Sequence, residues 1–245
     1  MTLTIVSMLP TLQNTNGDAE NARVLASRAR WAGLDATVVE VESAAQLPHR
    51  VDAVVLGSGS DASLDESRTR LLSMHDEFRR WGTEGVPILS IGTGWELLSW
   101  GVELANGRSV EGLGILPGRA VPRASRVTGD LVVKSPRFGM LVGFENHARD
   151  YIGAEASPLG RTRAGSGNGR DSGQEGAVMG DVYGTHLHGP VLAKNPEFAD
   201  RLLETIASRA GLAYAPGDRA RTVDEYAAAA RATQLAAAGV AVSGR

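Results

Sequence analysis

Two glycine-rich segments are placed where backbone alone can do chemistry: Gly57-Ser58-Gly59-Ser60-Asp61 and Gly92-Thr93-Gly94-Trp95-Glu96. Each follows a short apolar run, Asp52 to Leu56 and Pro87 to Ile91, so each sits where a strand ends. In an open parallel sheet, ligands bind beyond those carboxyl ends. Neither segment completes G-x-G-x-x-G, and neither carries the Lys of a phosphate-binding loop, so nucleotide binding gains little support. The second segment fits a nucleophile elbow, a sharp strand-to-helix turn that strains one residue and needs small neighbours two positions to either side. Centred on Gly92, those neighbours are Ser90 and Gly94, which fit; centred on Thr93, they are Ile91 and Trp95, which do not. The nucleophile position therefore falls on Gly92, which has no side chain. The hydroxyl of Thr93 does not promote it to that role. A plain strand–helix turn satisfies the same pattern.

Other chemistry is thin. The chain contains no cysteine, which removes disulfides, Cys-based zinc sites, iron–sulfur clusters and any thiolate nucleophile. His186 and His188 lie two apart on a predicted strand, Val182 to His188, and so share a face. They amount to half a metal site with no third ligand in view, and no metal is expected. His147, after Asn146, reads as structural. Asp61 reads as bracing its loop through side-chain-to-backbone hydrogen bonds. Arg126, taken alone, is an exposed strand residue.

The elements that must position these residues follow from periodicity. Leu3 to Leu9, Ala36 to Val41, Asp52 to Leu56 and Pro87 to Ile91 read as strands. Between them, Asp18 caps a helix carrying Ala22, Leu25, Ala26 and Ala29, and Asp65 caps one carrying Leu71, His75, Phe78 and Trp81. A further helix runs from Trp95 to Trp100. Alternation at this spacing means βαβ units and a mostly parallel sheet. After Gly101 the pattern turns β-rich, with runs at Arg126 to Lys134 and Met140 to Phe144. Gly165 to Gly176 reads as a loop or hairpin tip around Asn168-Gly169. Asn195-Pro196-Glu197 starts a helix to about Ala210, and Ala227 to Ala238 is helical by propensity. The expected division is one α/β domain with an added β-rich layer over residues 1–210, then an Ala-rich helix or tail over 211–245.

Composition fits a soluble protein. Of 245 residues, 42% are hydrophobic, and 25 Lys and Arg oppose 28 Asp and Glu, leaving a net charge of −3. That balance argues against a nucleic-acid surface. No apolar run reaches the ~18 residues of a membrane span. Met1 to Val6 lacks the basic start of a signal peptide. The expectation is a cytoplasmic protein.

With these residues set out, a family resemblance emerges. Ile88-Leu89-Ser90-Ile91-Gly92-Thr93-Gly94-Trp95-Glu96-Leu97-Leu98 resembles the elbow of class I glutamine amidotransferases of the cobyric-acid-synthase type, usually worded ICGGYQLL. Asn14 to Asn21 resembles their N-x-x-G-D-x-x-N, and Leu56 to Asp61 resembles GGGQD. Gly143-Phe144-Glu145-Asn146-His147, Gln174-Glu175-Gly176 and Gly184 to Pro196 complete a set spanning Leu3 to Leu203. Together they resemble the amidotransferase subunits of lipid II isoglutaminyl synthases.

The resemblance implies a flavodoxin-like fold. It also implies an elbow Cys that attacks glutamine, with a His base at His188. A substrate-binding Arg falls at Arg126, and an oxyanion hole at the N–H groups of Gly59 and Thr93. The implied partner is a Mur-ligase-like, ATP-dependent subunit in a heterodimer. That partner holds ATP and Mg, with no cofactor on this chain, and amidates the D-glutamate α-carboxylate of the peptidoglycan precursor. This chain departs from the pattern at the decisive position: Gly92 replaces the Cys, Thr93 a Gly, Glu96 a Gln and His186 a Tyr. Without the thiol the thioester route is closed, and glutamine or another amine is left as the small molecule. The implied roles are a degenerate amidotransferase-like subunit, a non-catalytic scaffold for the ligase, or a glutaminase inactivated by an introduced Cys-to-Gly change. Several changes around one site favour divergence over a single introduced one.

Overall fold

The computed structural model describes residues 1–169 and 171–241. Its first half alternates as expected: Leu3–Met8 (β1), Glu20–Trp31 (α1), Ala36–Val41 (β2), Ala53–Leu56 (β3), Leu64–Leu72 (α2), His75–Glu84 (α3), Ile88–Ile91 (β4) and Thr93–Leu98 (α4). The second half adds Gly101–Glu103 (β5), Ser109–Glu111 (β6), Arg119–Ser135 (β7), Gly139–Ile152 (β8), Gly160–Ala164 (β9), Gln174–Glu175 (β10), Ala177–Met179 (β11) and Val182–Thr185 (β12). The chain closes with Val191–Lys194 (α5), Pro196–Arg209 (α6) and Asp218–Ala237 (α7).

The main sheet has the order β2-β1-β3-β4-β12-β11, parallel except for β11. Its central strands are covered on both faces, and alternate residues serve opposite cores. Leu3, Ile5, Ala53, Val55, Leu89 and Ile91 pack under α1 and α6. Val6, Met8, Val54, Leu56 and Ile88 pack toward α2, α3 and α4. This two-sided burial is why these strands read as unbroken apolar runs. The second sheet, β10-β9-β7-β5-β6 with β8 paired to β7, is the expected β-rich layer.

Several sequence expectations shift in detail. The Asp65 helix is two helices, broken at Ser73-Met74, where Met74 turns into the core. The β7–β8 hairpin is far longer than the predicted runs, because residues 124–126 and 128–130 face solvent and leave no apolar alternation to read. Asn168 is no exposed tip: it is buried and clamps Gly176, accepting from its N–H at 2.8 Å and donating to its carbonyl at 3.1 Å. Arg170 of that loop, and residues 242–245 of the C-terminal segment, lie outside the described residues. The strand toward His188 ends at Thr185, so His186 and His188 do not share a strand face.

Two predicted caps do other work. Asn195 stands before α6 without capping it; its amide instead bonds both the N–H and the carbonyl of Val142, tying α6 to β8. Asp18 does not cap α1, which starts after Ala19. α7 is fastened to the body rather than free. Arg28 of α1, itself buried, holds Asp200 of α6 and Asp224 of α7 at 2.6 to 3.1 Å. No helix among the described residues is long and apolar enough to cross a membrane.

Candidate active site

The turn from β4 into α4 is an elbow centred on Gly92. Its backbone takes φ 53° and ψ −124°, a region that side chains rarely enter. Gly94 must be glycine for the turn to close, since a Cβ there would lie 2.2 Å from the carbonyl oxygen of Gly57. A Cβ on Gly92 would point at His188, 2.9 Å from Cε1 and 3.5 Å from Nε2, and would press on the Ser58 Cβ at 2.8 Å. The spacing rule thus locates the strained residue correctly, and that residue has nothing to present.

Opposite stands an ordered base. His188 is 1% exposed, and its Nδ1 lies 2.8 Å from Asp18 Oδ2. Asn16 Nδ2 also lies 3.2 Å from that Nδ1. In the neutral tautomer with its proton on Nδ1, shared with Asp18, the ring presents Nε2 as an acceptor. That Nε2 is buried with no hydrogen-bond partner. Asp18 is held in turn: the Ser58 hydroxyl donates to Oδ2 at 2.8 Å and the Gly189 N–H to Oδ1 at 3.3 Å. Asn16 Nδ2 donates to Ser58 Oγ at 3.0 Å. A chain continues outward, with Asn146 donating to Asn16 Oδ1 at 3.1 Å and Arg126 donating to Asn146 Oδ1 at 2.9 Å. Arg126 is otherwise exposed at the mouth. The resulting cavity, about 430 Å³, is lined among others by Gly92, Thr93, Gly59, His188, Arg126 and Arg149.

The expected pair of oxyanion donors does not survive as such. The Gly59 N–H donates to Thr93 Oγ1 at 2.6 Å, and the same hydroxyl donates to Gln13 Oε1 at 3.0 Å. A donor already satisfied by a neighbouring hydroxyl offers little to a developing oxyanion.

The other departures are also built in. Glu96, 1% exposed, receives the Arg149 Nε–H at 2.9 and 3.0 Å, and Arg149 reaches Asp61 at 2.9 Å. Asp61 therefore braces its loop through Arg149, not through its own backbone. Burial opposes the Arg149 charge, but Glu96 and Asp61 together hold its pKa above the ordinary value. His186 stacks on His147 at 4.1 Å between ring centroids and meets Glu175 at 3.3 Å. Burial, with His147 alongside, pushes the His186 pKa down. Burial also works against the Glu175 carboxylate. The His186 ring, the Thr185 hydroxyl and the His186 N–H outweigh that and hold its pKa below the usual range. His147 has both ring nitrogens engaged, by the Arg149 carbonyl and Glu145.

Residues 5–196 match the model of the CobB/CobQ-like glutamine amidotransferase domain. The chain belongs to that family. It is 33% identical over 216 residues to the lipid II isoglutaminyl synthase (glutamine-hydrolyzing) subunit GatD of Staphylococcus aureus (strain N315), covering 87% of this chain and 88% of that one. The GatD of Streptococcus pneumoniae (strain ATCC BAA-255 / R6) is 28% identical over 207 residues, covering 83% and 80%. A crystal structure described as glutamine amidotransferase superposes with a TM-score of 0.57 at 20% identity, over 82% of this chain and 98% of that one, which supports the fold.

Within this amidotransferase fold the structure brings Gly92, Thr93, Gly59, His188 and Arg126 to one cavity. Sequence reasoning missed Asp18 as the partner of His188, and Asn16 and Arg149 as lining residues. The signal for the first two was present: Asn14 to Asp18 is a polar run directly beyond the carboxyl end of β1, where a parallel sheet collects ligands.

Proposed function

We propose that this chain is an amidotransferase-like subunit of an amide ligase that acts on the D-glutamate α-carboxylate of a lipid II-type precursor, and that it does not hydrolyse glutamine. The likeness to GatD supports the assembly. The observation that carries the loss of hydrolysis is the elbow itself: strained backbone at Gly92, no side chain to attack, and the Gly59 N–H taken by Thr93. In this reading His188 is the surviving base, and Arg126 is a carboxylate grip whose guanidinium fork pairs with an acid in two hydrogen bonds. The partner is a Mur-ligase-like subunit that holds ATP and Mg and works beside this chain in the cytoplasm as a heterodimer. It converts the carboxylate to an acyl phosphate. Unprotonated ammonia, or a small amine such as glycine, attacks the acyl carbon and phosphate leaves.

The test is a ligase assay with partner, precursor and ATP, supplying amide-¹⁵N glutamine, ¹⁵N ammonium or ¹⁵N glycine one at a time. Mass spectrometry should find label in the product from ammonium or glycine. Label arriving from glutamine, with no contaminating glutaminase, would overturn the loss of hydrolysis. No product from any donor would overturn the ligase role.

A further inference from the structure

Away from the elbow, a pocket of about 480 Å³ opens between the β7–β8 turn, the start of β9 and the loop before it. It shares no lining residue with the candidate active site. Four cations line it, Lys134, Arg137, Arg161 and Arg163, and no carboxylate does. In a chain of net charge −3 that is a local reversal of sign. Lys134 stands directly opposite Arg161 in the β7–β9 ladder, and Arg163, at the register shift two residues on, lines the same pocket. Like charges placed directly opposite each other are destabilising. The strands are nonetheless held close there, since a Cβ on Gly160 would lie 2.6 Å from the Lys134 carbonyl oxygen. Lys134, Arg161 and Arg163 are exposed and have no ion-pair partner among the described residues. Arg137 turns the other way, donating to the Gly180 carbonyl at 3.2 Å beside the Tyr183 hydroxyl, which bonds Asp181 outside the lining. The floor beneath the cations is apolar, built on Leu159 and Val178.

We infer that this pocket binds a pyrophosphate group carrying an apolar or ring substituent. Three unpaired cations lining one pocket match the charge of a diphosphate, and the Arg forks suit its paired oxygens. The Leu159–Val178 floor takes the substituent. The inference is independent of how the elbow is read.

Calorimetric titration at fixed ionic strength tests it, using inorganic phosphate, inorganic pyrophosphate, uridine diphosphate and farnesyl diphosphate. Pyrophosphate should bind more tightly than phosphate, and one of the substituted probes more tightly still. A uridine diphosphate preference assigns a nucleotide source; a farnesyl preference assigns a lipid-linked one. Arg161→Gln with Arg163→Gln should weaken binding by about tenfold or more, while Arg126→Gln leaves it unchanged. The exposed Lys134→Gln variant repeats the test should the double variant unfold. No binding by any diphosphate, equal binding in the pocket variants, or loss in Arg126→Gln would overturn the site.

Discussion

The two walls of the candidate active site differ in which of their groups are free to act. On the histidine wall, Asp18, Ser58, Asn16 and Asn146 form an unbroken hydrogen-bonded chain from the buried His188 to Arg126 at the mouth. On the elbow wall the backbone geometry persists, but its groups are absent or engaged: no side chain at Gly92, a hydroxyl over the Gly59 N–H, and Glu96 committed to Arg149. The elbow shape is dictated by close packing, with Gly94 against Gly57 and Trp95 against Tyr151, so the backbone holds it without any side chain at Gly92. A family fold and an ordered histidine thus do not by themselves supply the nucleophile that the proposed reading finds missing.

The largest effect should come from cutting the charge pair under the elbow. Arg149→Met leaves Glu96 buried and unpaired, and we expect a loss of about 3–5 kcal/mol in urea unfolding. Asp61 is half exposed and adds little to that figure. A near-neutral result would mean that packing, not the pair, holds this wall.

Next comes the occupied donor. Gly92→Cys alone should release little ammonia from glutamine, because Thr93 still covers the Gly59 N–H. Adding Thr93→Gly should raise the rate by about 10²–10³. Full activity in the single variant, measured with partner present, would erase the distinction drawn between the walls.

Gly92→Ala should cost about 1–3 kcal/mol of stability, since φ 53° disfavours a side chain and its Cβ meets Ser58 and His188. An unchanged denaturation midpoint would show that the histidine wall yields readily.

The mildest effect is on pH. His186 is held below its ordinary 6.5 and Glu175 below its ordinary 4.5, so both favour the folded state in their deprotonated forms. Their contribution is complete above 6.5. It begins to fall below 6.5, as His186 protonates in the unfolded chain, and falls further below 4.5 through Glu175. Melting temperature should decline in that order on acidification. A flat profile from pH 7 to 4 would contradict the assignment.

Much of this was legible in the residues, for physical reasons. β1, β3 and β4 are apolar on both faces and bounded by turn residues, so the parallel sheet could be read, and the small-residue rule alone put the elbow at Gly92. Asp18 was misread because a carboxylate before a helical pattern looks like a cap whether it binds the helix or a His 170 positions away. The Thr93 hydroxyl over Gly59 was illegible for the same reason, a contact made across 34 residues by folding alone. The exposed middle of β7 carries no apolar period to detect.

The most direct test of the central claim is ammonia release from glutamine by this chain, alone and with the proposed ligase partner. The chain has no cysteine, and the described structure shows no group at Gly92 to replace one. The expected result is a rate equal to the enzyme-free background at saturating glutamine. Turnover above that background, retained through purification and abolished in His188→Ala, would contradict it.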